Sequence, residues 1–469
     1  MNLSVKKEFF LIFVLCVVAI ALPLVLRYLF VGDYLVGTES YHQLRLAESK
    51  IFFYDQFSYG GRYVITELGL PLILSLNSAL LSKILPPIIG LLIFTFFYVL
   101  IKDLPRNNRI ISSVLLIVSP PFIYLSTVLN KYSIAVLIVL LSLLLFKKGK
   151  YFASVLLLSV LSLFSVFSAV LFFFLFLIYS RRKKIEKKHI LQLLGLDILL
   201  LLTQYGYKLY YLGIPKILKF VGLDINVNFL FQNFISDLGG PYGFALFTSI
   251  LSFIGINYFW RENKRETLFF ILVGLVMFIL TIFFSQTLFY LNFMVIILAS
   301  YALVGLTKHV WSSGLIRKMT ILVIICGLLF SFVSYEKRLV DSLPNEATED
   351  AVYFLTKIKN NDVVFSHPNK GFWISKAYKK NVMDEEFFYA PNVNERYEDA
   401  NKLLYTTKLE EASSIINKYN IRYFYMDNNM KDSLYNGREE GLLFLLRYNP
   451  NFNLIYKNKE VEIWEIENV

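Results

Sequence analysis

Cysteine is nearly absent from this 469-residue chain, which contains only Cys16 and Cys326. Both lie inside apolar runs, so the sequence has neither a disulfide framework nor the cysteine spacing of a metal site. Internal repeats and low-complexity tracts are also lacking. These absences exclude the small disulfide-stapled domains and the repeat architectures.

Charged residues are scarce within the long apolar runs that recur as far as residue 334, and the chain is 56% hydrophobic with 44 Phe and 31 Tyr. Runs of this length are needed by bilayer-spanning helices and not by soluble cores. We therefore predict a polytopic α-helical membrane protein of about eleven spans. They are expected near residues 9–30, 70–101, 110–128, 132–146, 150–164, 166–180, 190–206, 241–259, 267–285, 287–306 and 318–334.

The net charge of +12 is unevenly shared along the chain. Residues 1–335 contain 29 Lys and Arg against 13 Asp and Glu, whereas residues 336–469 contain 18 against 22. This predicts a membrane domain at 1–335, with an outer loop at 31–70, and a soluble domain at 336–469. The basic excess lies between apolar runs, where it orients helices and meets lipid phosphates, so nucleic-acid binding is not expected.

The basic clusters also predict the topology of the membrane part. With the N-terminus in the cytoplasm, every Lys/Arg cluster falls in a cytoplasmic segment, as the positive-inside rule requires. Residues 31–71, 207–240 and the C-terminal domain then share the extracytoplasmic face of the cell membrane. Three polar segments are thereby expected to meet.

The C-terminal domain alternates strand and helix patterns. Residues 362–366 and 421–427 have the composition of buried strands, residues 409–419 have helical spacing, and 453–466 resembles a closing hairpin. We expect a small α/β domain. It contains no glycine-rich phosphate loop, nucleophile elbow or metal cluster, so the chemistry is expected elsewhere.

Residues 31–71 form a polar, aromatic and acidic segment that is too long for a simple turn between membrane helices. Within it, GTESYHQLRLAE has the spacing of a surface helix, on which Glu39 and His42 lie one turn apart. A carboxylate at a membrane boundary can act as a general base or help to hold a divalent ion, and Arg45 suits a phosphate. The alternative is a solvated loop with Arg45 and Glu48 as a surface pair.

Several motifs resemble those of the GT-C membrane glycosyltransferases, in particular archaeal members akin to the oligosaccharyltransferase catalytic subunit and the polyprenyl-phosphate-sugar transferases. The resemblance is carried by the acidic residue of the first outer loop and by the segments DQFSYGGR (55–62), GLP (69–71), SPPFIYLSTVLNKYS (119–133) and DLGGPYGFALF (237–247). KYNIRYFYMD and the final VEIWEI add to it. It implies an acidic residue that serves as base or metal ligand, and a lipid-linked sugar donor.

Three departures from that family pattern bear on the mechanism. The first loop has one acid, Glu39, where the family often has two; Asn130 and Lys131 stand where a second acidic motif is expected; and the WWDYG signature is absent. The resemblance therefore favours transfer without a metal, with Glu39 as base and His42 beside it. It leaves a divalent cation (Mg²⁺ or Mn²⁺) held through Glu39 as the alternative.

The other candidate residues fall into two groups. The possible second carboxylates are Asp55, Glu67 and Asp237, for which the alternatives are an ion pair with Arg62, a helix-start charge and a helix cap, respectively. The donor phosphate is expected to meet fixed positive charge. The residues predicted for that role are Arg45, Arg62, Lys131 and Lys208.

Two further sets of polar residues have open interpretations. Gln286, Tyr290 and Asn292 either line a donor cavity or bridge helices. His367 follows a predicted strand and either approaches the active site or is an exposed loop residue.

The resemblance implies an enzyme that transfers a sugar or glycan from a polyprenyl-phosphate-linked donor to a protein or glycan acceptor on the extracytoplasmic face. Two alternatives stay open. One is a non-catalytic scaffold that retains the fold, because the acidic motif is incomplete. The other is a transporter of lipid-linked glycans, against which the absence of repeats argues.

Overall fold

The computed structural model describes residues 3–64, 66–183, 187–212, 233–262, 264–358, 362–383 and 391–467. Its contacts divide the chain into two compact units. The helical unit comprises Met1–Phe30 and Leu80–Asp341, and the sheet unit comprises Val31–Ala79 and Ser342–Val469. The sequence-based division assigned residues 31–70 to the membrane domain, whereas these contacts group them with the C-terminal residues.

The described part of the helical unit consists mainly of apolar helices. They are α1 (Leu3–Phe30), α4 (Ser78–Leu100), α5 (Arg106–Ile117), α6 (Pro120–Thr127), α7 (Lys131–Lys147), α8 (Tyr151–Val160), α9 (Val166–Lys183), α10 (Lys187–Leu212), α11 (Leu246–Glu262), α12 (Lys264–Phe283), α13 (Thr287–Lys308) and α14 (Gly314–Val340). Four of the helices among the described residues are long and apolar enough to cross a membrane, or five if one bent pair counts as a single span. The predicted total of about eleven spans stays a prediction, and residues 213–232 of the predicted outer loop lie outside the described part.

The bent pair occupies the predicted span at 110–128. Helices α5 and α6 meet at an angle of 57°. The break coincides with Ser119 in extended conformation followed by Pro120, the first residue of α6. Proline lacks the backbone N–H that would continue α5, but its fixed φ suits the start of a new helix. A continuous apolar run thus gives two helices.

A second predicted run, 70–101, is also divided. The short helix α3 (Gly69–Leu74) ends before Asn77, and α4 begins at Ser78. The boundary between the two compact units falls just after this break, at Ala79 and Leu80.

The sheet unit contains short helices and two sheets. The helices are α2 (Thr38–Glu48), α3, α15 (Glu346–Lys357), α16 (Gly371–Lys376), α17 (Val393–Tyr405), α18 (Leu409–Tyr419), α19 (Asn428–Tyr435) and α20 (Gly441–Tyr448). The strands are β1 (Tyr54–Asp55), β2 (Arg62–Tyr63), β3 (Val363–Phe365), β4 (Lys380–Asn381), β5 (Ile421–Asp427), β6 (Phe452–Lys457) and β7 (Val461–Ile466). The predicted strands, helix and closing hairpin of the C-terminal domain are confirmed.

The main sheet has the strand order β4-β3-β5-β7-β6. Strands β4, β3 and β5 are parallel, and β7 runs antiparallel to both β5 and β6. The apolar residues of β5 are buried on both faces, as expected of a central strand covered by helices. The core of the sheet unit includes Phe424 and Tyr425 of β5, which are fully buried.

The outer-loop segment is built into this sheet unit by backbone pairing. Ser58 forms a parallel bridge with Asn381 of β4. The Tyr59 N–H donates to the Asn381 carbonyl at 2.9 Å, and the Asn381 N–H donates to the Phe57 carbonyl at 3.2 Å. Residues 57–59 therefore cover the open edge of β4, which explains why residues 31–79 group with the C-terminal residues.

Candidate functional site

The candidate base Glu39 lies in the first turn of the predicted helix α2. Gly37 precedes that helix with φ of 79°, a conformation that glycine adopts without strain, and its N–H donates to the Leu343 carbonyl at 3.0 Å. A carboxylate in a first turn is stabilised by the helix dipole. Glu39 is half-buried, whereas most of α2 is fully buried. The side chain therefore keeps access to solvent on a well-anchored helix.

The anchor of α2 is a buried cluster of three charged side chains, which we call the Asp55 cluster: Arg45, Asp55 and Arg62. Arg45 donates two hydrogen bonds to the Asp55 carboxylate, at 2.9 and 2.7 Å. Arg62, directly opposite Asp55 in the β1–β2 hairpin, donates a third at 3.2 Å. All three residues are at most 3% exposed. The alternative of an Asp55–Arg62 ion pair is confirmed, and the surface pair of Arg45 with Glu48 is wrong because Arg45 is buried against Asp55.

The charges of this cluster hold Asp55 ionised. Burial by itself would raise the pKa of the Asp55 carboxyl. The hydrogen bonds and positive charges of Arg45 and Arg62, with the Phe57 N–H at 3.0 Å, outweigh burial and hold that pKa well below its usual range. Asp55 is thus a fixed anion whose oxygens are occupied by three donors.

Aromatic side chains of the C-terminal residues also pack against α2. The Tyr41 ring packs against Trp373 of α16 with centroids 5.0 Å apart, and the His42 ring stacks on Phe372 at 4.2 Å. The Tyr41 hydroxyl accepts a hydrogen bond from the Leu35 N–H at 3.0 Å. His42, which was expected beside the base, is only 3% exposed and stacks on Phe372. This favours a packing role for His42.

A lysine, Lys376, also contacts the Tyr41 ring. Lys376 lies 3.9 Å from the centre of the Tyr41 ring and pairs with Glu349 at 2.6 Å. Burial lowers the pKa of Lys376, and Glu349 opposes that shift. Sequence reasoning missed Trp373, Phe372 and Lys376, because they lie more than 300 residues from α2 and no local pattern links them to it.

The candidate phosphate ligands have different surroundings. The guanidinium groups of Arg45 and Arg62 both face Asp55, which favours an anchoring role for them. Lys131 is the first residue of α7, is half-exposed, and lies 5.4 Å from the Tyr132 ring centre. Lys208 lies in α10, and its side chain lies outside the described part of the structure.

The two remaining candidate carboxylates are helix-start residues. Glu67 is half-buried just before α3. Asp237 accepts a hydrogen bond from the Leu246 N–H at 2.8 Å, so it caps α11 as the alternative interpretation predicted, and it also accepts one from the Ser331 hydroxyl. Both Asp237 oxygens therefore have structural partners.

Two of the polar residues near the start of α13, Tyr290 and Asn292, bridge helices, and Tyr290 also lines a cavity. The Tyr290 hydroxyl donates to the Ser168 hydroxyl of α9 at 2.7 Å. The Asn292 amide donates to the Ser119 hydroxyl at 3.0 Å. These contacts tie three parts of the helical unit together, as buried polar side chains do in membrane bundles.

His367 sits at the carboxyl edge of the parallel strands. It follows β3, is half-buried, and its Nδ1 accepts a hydrogen bond from the Asn369 N–H at 3.3 Å. Burial and the charge of Lys370 lower the pKa of His367, while Asp427 opposes the shift. Lys370 and Asp427 form an ion pair at 2.5 Å. His367 thus has a local capping role.

A divalent cation in the outer-loop segment has Glu39 and Asp55 as its candidate ligands. No group of three or more His, Cys, Asp or Glu side chains is arranged to hold a metal in the described ranges. Asp55 is the most buried carboxylate of the segment, and a cation there would displace two guanidinium groups that already compensate it. Glu39 contributes a single carboxylate, and because protein-bound Mg²⁺ usually takes one or two carboxylates together with substrate phosphates, a cation at Glu39 would need the donor phosphate as a further ligand.

A scan of family profiles finds no match to this chain, and a sequence search of curated proteins finds none either. Solved structures do match its fold. The archaeal oligosaccharyltransferase AglB from Archaeoglobus fulgidus, solved with an inhibitory peptide and a dolichol-phosphate, superposes with a TM-score of 0.63 at 14% identity over 92% of this chain and 70% of AglB. An oligosaccharyltransferase from Archaeoglobus fulgidus solved with Zn and sulfate has a TM-score of 0.60 at 15% identity, over 96% of this chain and 73% of that one.

Two other transferases match over nearly the whole chain. Arabinofuranosyltransferase AftD from Mycobacteria has a TM-score of 0.55 at 11% identity, over 97% of this chain and 40% of AftD. ArnT from Cupriavidus metallidurans, solved with undecaprenyl phosphate, has a TM-score of 0.55 at 11% identity, over 96% of this chain and 97% of ArnT. All three are GT-C glycosyltransferases, and the likeness shows that the chain has the GT-C fold; four of its described helices are long and apolar enough to cross a membrane.

Proposed function

We propose that this protein is a glycosyltransferase that moves a sugar from a polyprenyl-phosphate-linked donor to an acceptor on the extracytoplasmic face. The observation that carries the proposal is Glu39, a half-buried carboxylate in the first turn of a helix anchored by the Asp55 cluster. The GT-C fold supports the reaction class, and the dolichol-phosphate and undecaprenyl phosphate bound by AglB and ArnT support a lipid-linked donor.

The proposed reaction is a single displacement. Glu39 takes the proton of the acceptor hydroxyl or amide, the acceptor atom attacks the anomeric carbon, and the bond from that carbon to the phosphate oxygen breaks. The electron pair leaves with the lipid phosphate, whose developing charge requires a nearby cation. Lys131, half-exposed at the start of α7, and Lys208 are proposed for that role. Inversion at the anomeric carbon follows from the single displacement.

The Asp55 cluster is proposed to set the position of the base. Arg45 lies six residues after Glu39 on α2, so the ionic contacts fix the end of the helix that follows the base. The aromatic contacts of Tyr41 and His42 fix the middle of the helix. A base held in this way needs little reorganisation when the acceptor arrives.

The test is transfer of radiolabelled sugar from a panel of polyprenyl-phosphate hexoses to endogenous acceptors in membranes that contain the protein. We expect Glu39→Gln to lower the rate by a factor of about 10² to 10⁴, the usual contribution of a general base. The matched control is Glu48→Gln at the other end of α2, where the carboxylate accepts a hydrogen bond from Ser78 at 3.1 Å.

Each outcome assigns the function differently. Transfer by wild type and by Glu48→Gln, lost in Glu39→Gln, supports the enzyme and its base together. Equal transfer by wild type, Glu39→Gln and Glu48→Gln shows that Glu39 is not the base. Absence of transfer with every donor, together with unaltered lipid-linked glycans in a deletion strain, favours the scaffold.

A further inference from the structure

The helical unit contains a large cavity that the proposed reaction does not use. It has a volume of about 540 Å³ and is lined by parts of α4, α7, α8, α9, α12 and α13. Along α7 its wall extends from Val136 to Lys147, which is about 16 Å at 1.5 Å per residue. The cavity therefore occupies the half of the bundle toward the C-terminal end of α7.

The wall of the cavity is almost entirely hydrocarbon. Phenylalanine residues dominate it, among them Phe97 and Phe176. Its two serines, Ser142 and Ser154, satisfy each other, with their hydroxyl oxygens 2.7 Å apart and the Ser154 hydroxyl donating to the Ser142 carbonyl at 3.0 Å. The Tyr290 hydroxyl, which also lines the cavity, donates to Ser168 at 2.7 Å, so the hydroxyl groups of the described wall are engaged within the protein. An apolar chain is the ligand that suits such a wall.

The size of the cavity matches part of a lipid chain. An apolar protein cavity of about 150 Å³ stays dry and holds a six-carbon ring such as benzene. By the same ratio, 540 Å³ holds roughly twenty carbon atoms. Inside a bilayer an empty cavity forfeits dispersion contacts along its whole wall, so filling it with a lipid chain is favourable.

The charges at one end of the cavity favour an anionic headgroup. Lys147 borders the cavity, donates to the Leu100 carbonyl at 3.0 Å and pairs with Asp103 at 2.6 Å. The neighbouring lysines Lys102 and Lys148 are exposed. Lysines at the end of membrane helices attract anionic lipids by about 1 kcal/mol each, which is roughly fivefold in affinity.

This end is remote from the proposed donor phosphate site. Lys131 begins α7 and Lys147 ends it, so the two lysines are separated by about 24 Å along the helix. The proposed headgroup position and the proposed donor phosphate site are therefore at opposite ends of α7.

We propose that this cavity binds one hydrocarbon chain of an anionic phospholipid whose phosphate lies against Lys102 and Lys148. The bound chain fills the bundle between α4, α7 and α12 and stabilises it. This inference does not depend on the transferase activity, and its test does not measure sugar transfer.

The test is native mass spectrometry of the full-length protein, purified in mild detergent and exchanged into nanodiscs of phosphatidylglycerol and phosphatidylcholine. Wild type is expected to retain one phosphatidylglycerol molecule through delipidation. Leu158→Trp fills the cavity from α8, where Leu158 is buried at 7% exposure, and is expected to reduce the retained lipid at least roughly tenfold. Leu156→Trp is the matched control, since Leu156 is two residues away, 46% exposed and outside the cavity wall.

A second variant tests the headgroup and leaves the wall intact, in case Leu158→Trp fails to fold. Lys102→Gln with Lys148→Gln is expected to lower the preference for phosphatidylglycerol over phosphatidylcholine roughly thirtyfold, because two lysine contributions are lost. Unchanged preference would overturn the headgroup assignment.

The remaining outcomes also decide the proposal. Equal retention by Leu158→Trp and Leu156→Trp would overturn the cavity as the site, as would a wild-type protein that retains no lipid. A retained mass equal to a polyprenyl phosphate would overturn the choice of phospholipid and would assign the cavity to the donor tail.

Discussion

Removal of the Asp55 carboxylate is predicted to unfold the sheet unit at a much lower temperature. Asp55→Ala leaves Arg45 and Arg62 buried at 3% exposure with no shared anion. Removing one partner of a buried ion pair costs about 3–5 kcal/mol, because the remaining charge stays desolvated. The sheet unit has about 180 residues, a size for which each kcal/mol shifts the melting temperature by about 2–4 °C. The expected decrease is therefore about 6–20 °C.

The assay is thermal unfolding of the detergent-solubilised protein, followed by tryptophan fluorescence. Trp373 and Trp464 lie in the sheet unit and are almost fully buried, so they report its unfolding. The matched control is Asp432→Ala, an exposed aspartate of the same unit, which is expected to shift the transition by less than about 2 °C. A decrease for Asp55→Ala that is no larger than the control would refute the anchoring role.

The same aspartate predicts a dependence on pH. Because the folded pKa of Asp55 lies below the unfolded value of about 3.9, its stabilisation is complete above pH 4 to 5 and is lost as the pH falls further. The melting temperature of wild type should therefore fall more steeply below pH 4 than that of Asp55→Asn. Parallel acid profiles would show that Asp55 is not held ionised by its two arginines.

Two further predictions concern the helical unit. Asp237→Ala removes the cap of α11 and is expected to lower the free energy of unfolding by about 0.5–2 kcal/mol, measured as a lower melting temperature of the solubilised protein. Asp237→Asn keeps a hydrogen-bond acceptor and should recover most of that loss. A variant Asp237→Asn as unstable as Asp237→Ala would contradict the capping role. Gly255→Ala places a Cβ 1.9 Å from the Leu298 carbonyl oxygen, so α11 and α13 must move apart and the protein should unfold at a lower temperature. Gly195→Ala meets no atom within 4 Å and should be neutral or stabilising, and a similar loss for both alanines would contradict the close packing.

Local patterns were sufficient for much of the architecture. The apolar composition of 421–427 and the hairpin pattern that includes 461–466 predicted two strands, which pair in the structure with Asp427 opposite Val461. The 3.6-residue spacing of α2 and α18 predicted both helices. These elements are determined by periodicity within about ten residues, which a single sequence displays.

Long-range contacts could not be predicted in the same way. Arg45 and Asp55 are ten residues apart, but the chain between them is irregular. Its sequence therefore does not predict that the two side chains form an ion pair. The bridge of Ser58 with Asn381 and the contact of Tyr41 with Trp373 join residues more than 300 positions apart. Such pairs depend on the packing of the whole sheet unit, and no local propensity encodes them.

The bridge of Ser58 with Asn381 has a consequence for the order in which the protein is made. The ribosome synthesises Ser58 about 320 residues before Asn381, and at 5–20 residues per second this interval is about 16–65 s. During that time the segment 57–59 has no strand to cover, while the helices of residues 80–341 are being inserted. The outer-loop segment therefore leaves the ribosome long before its pairing strand exists, and a premature stop before Asn381 leaves residues 57–59 without that strand.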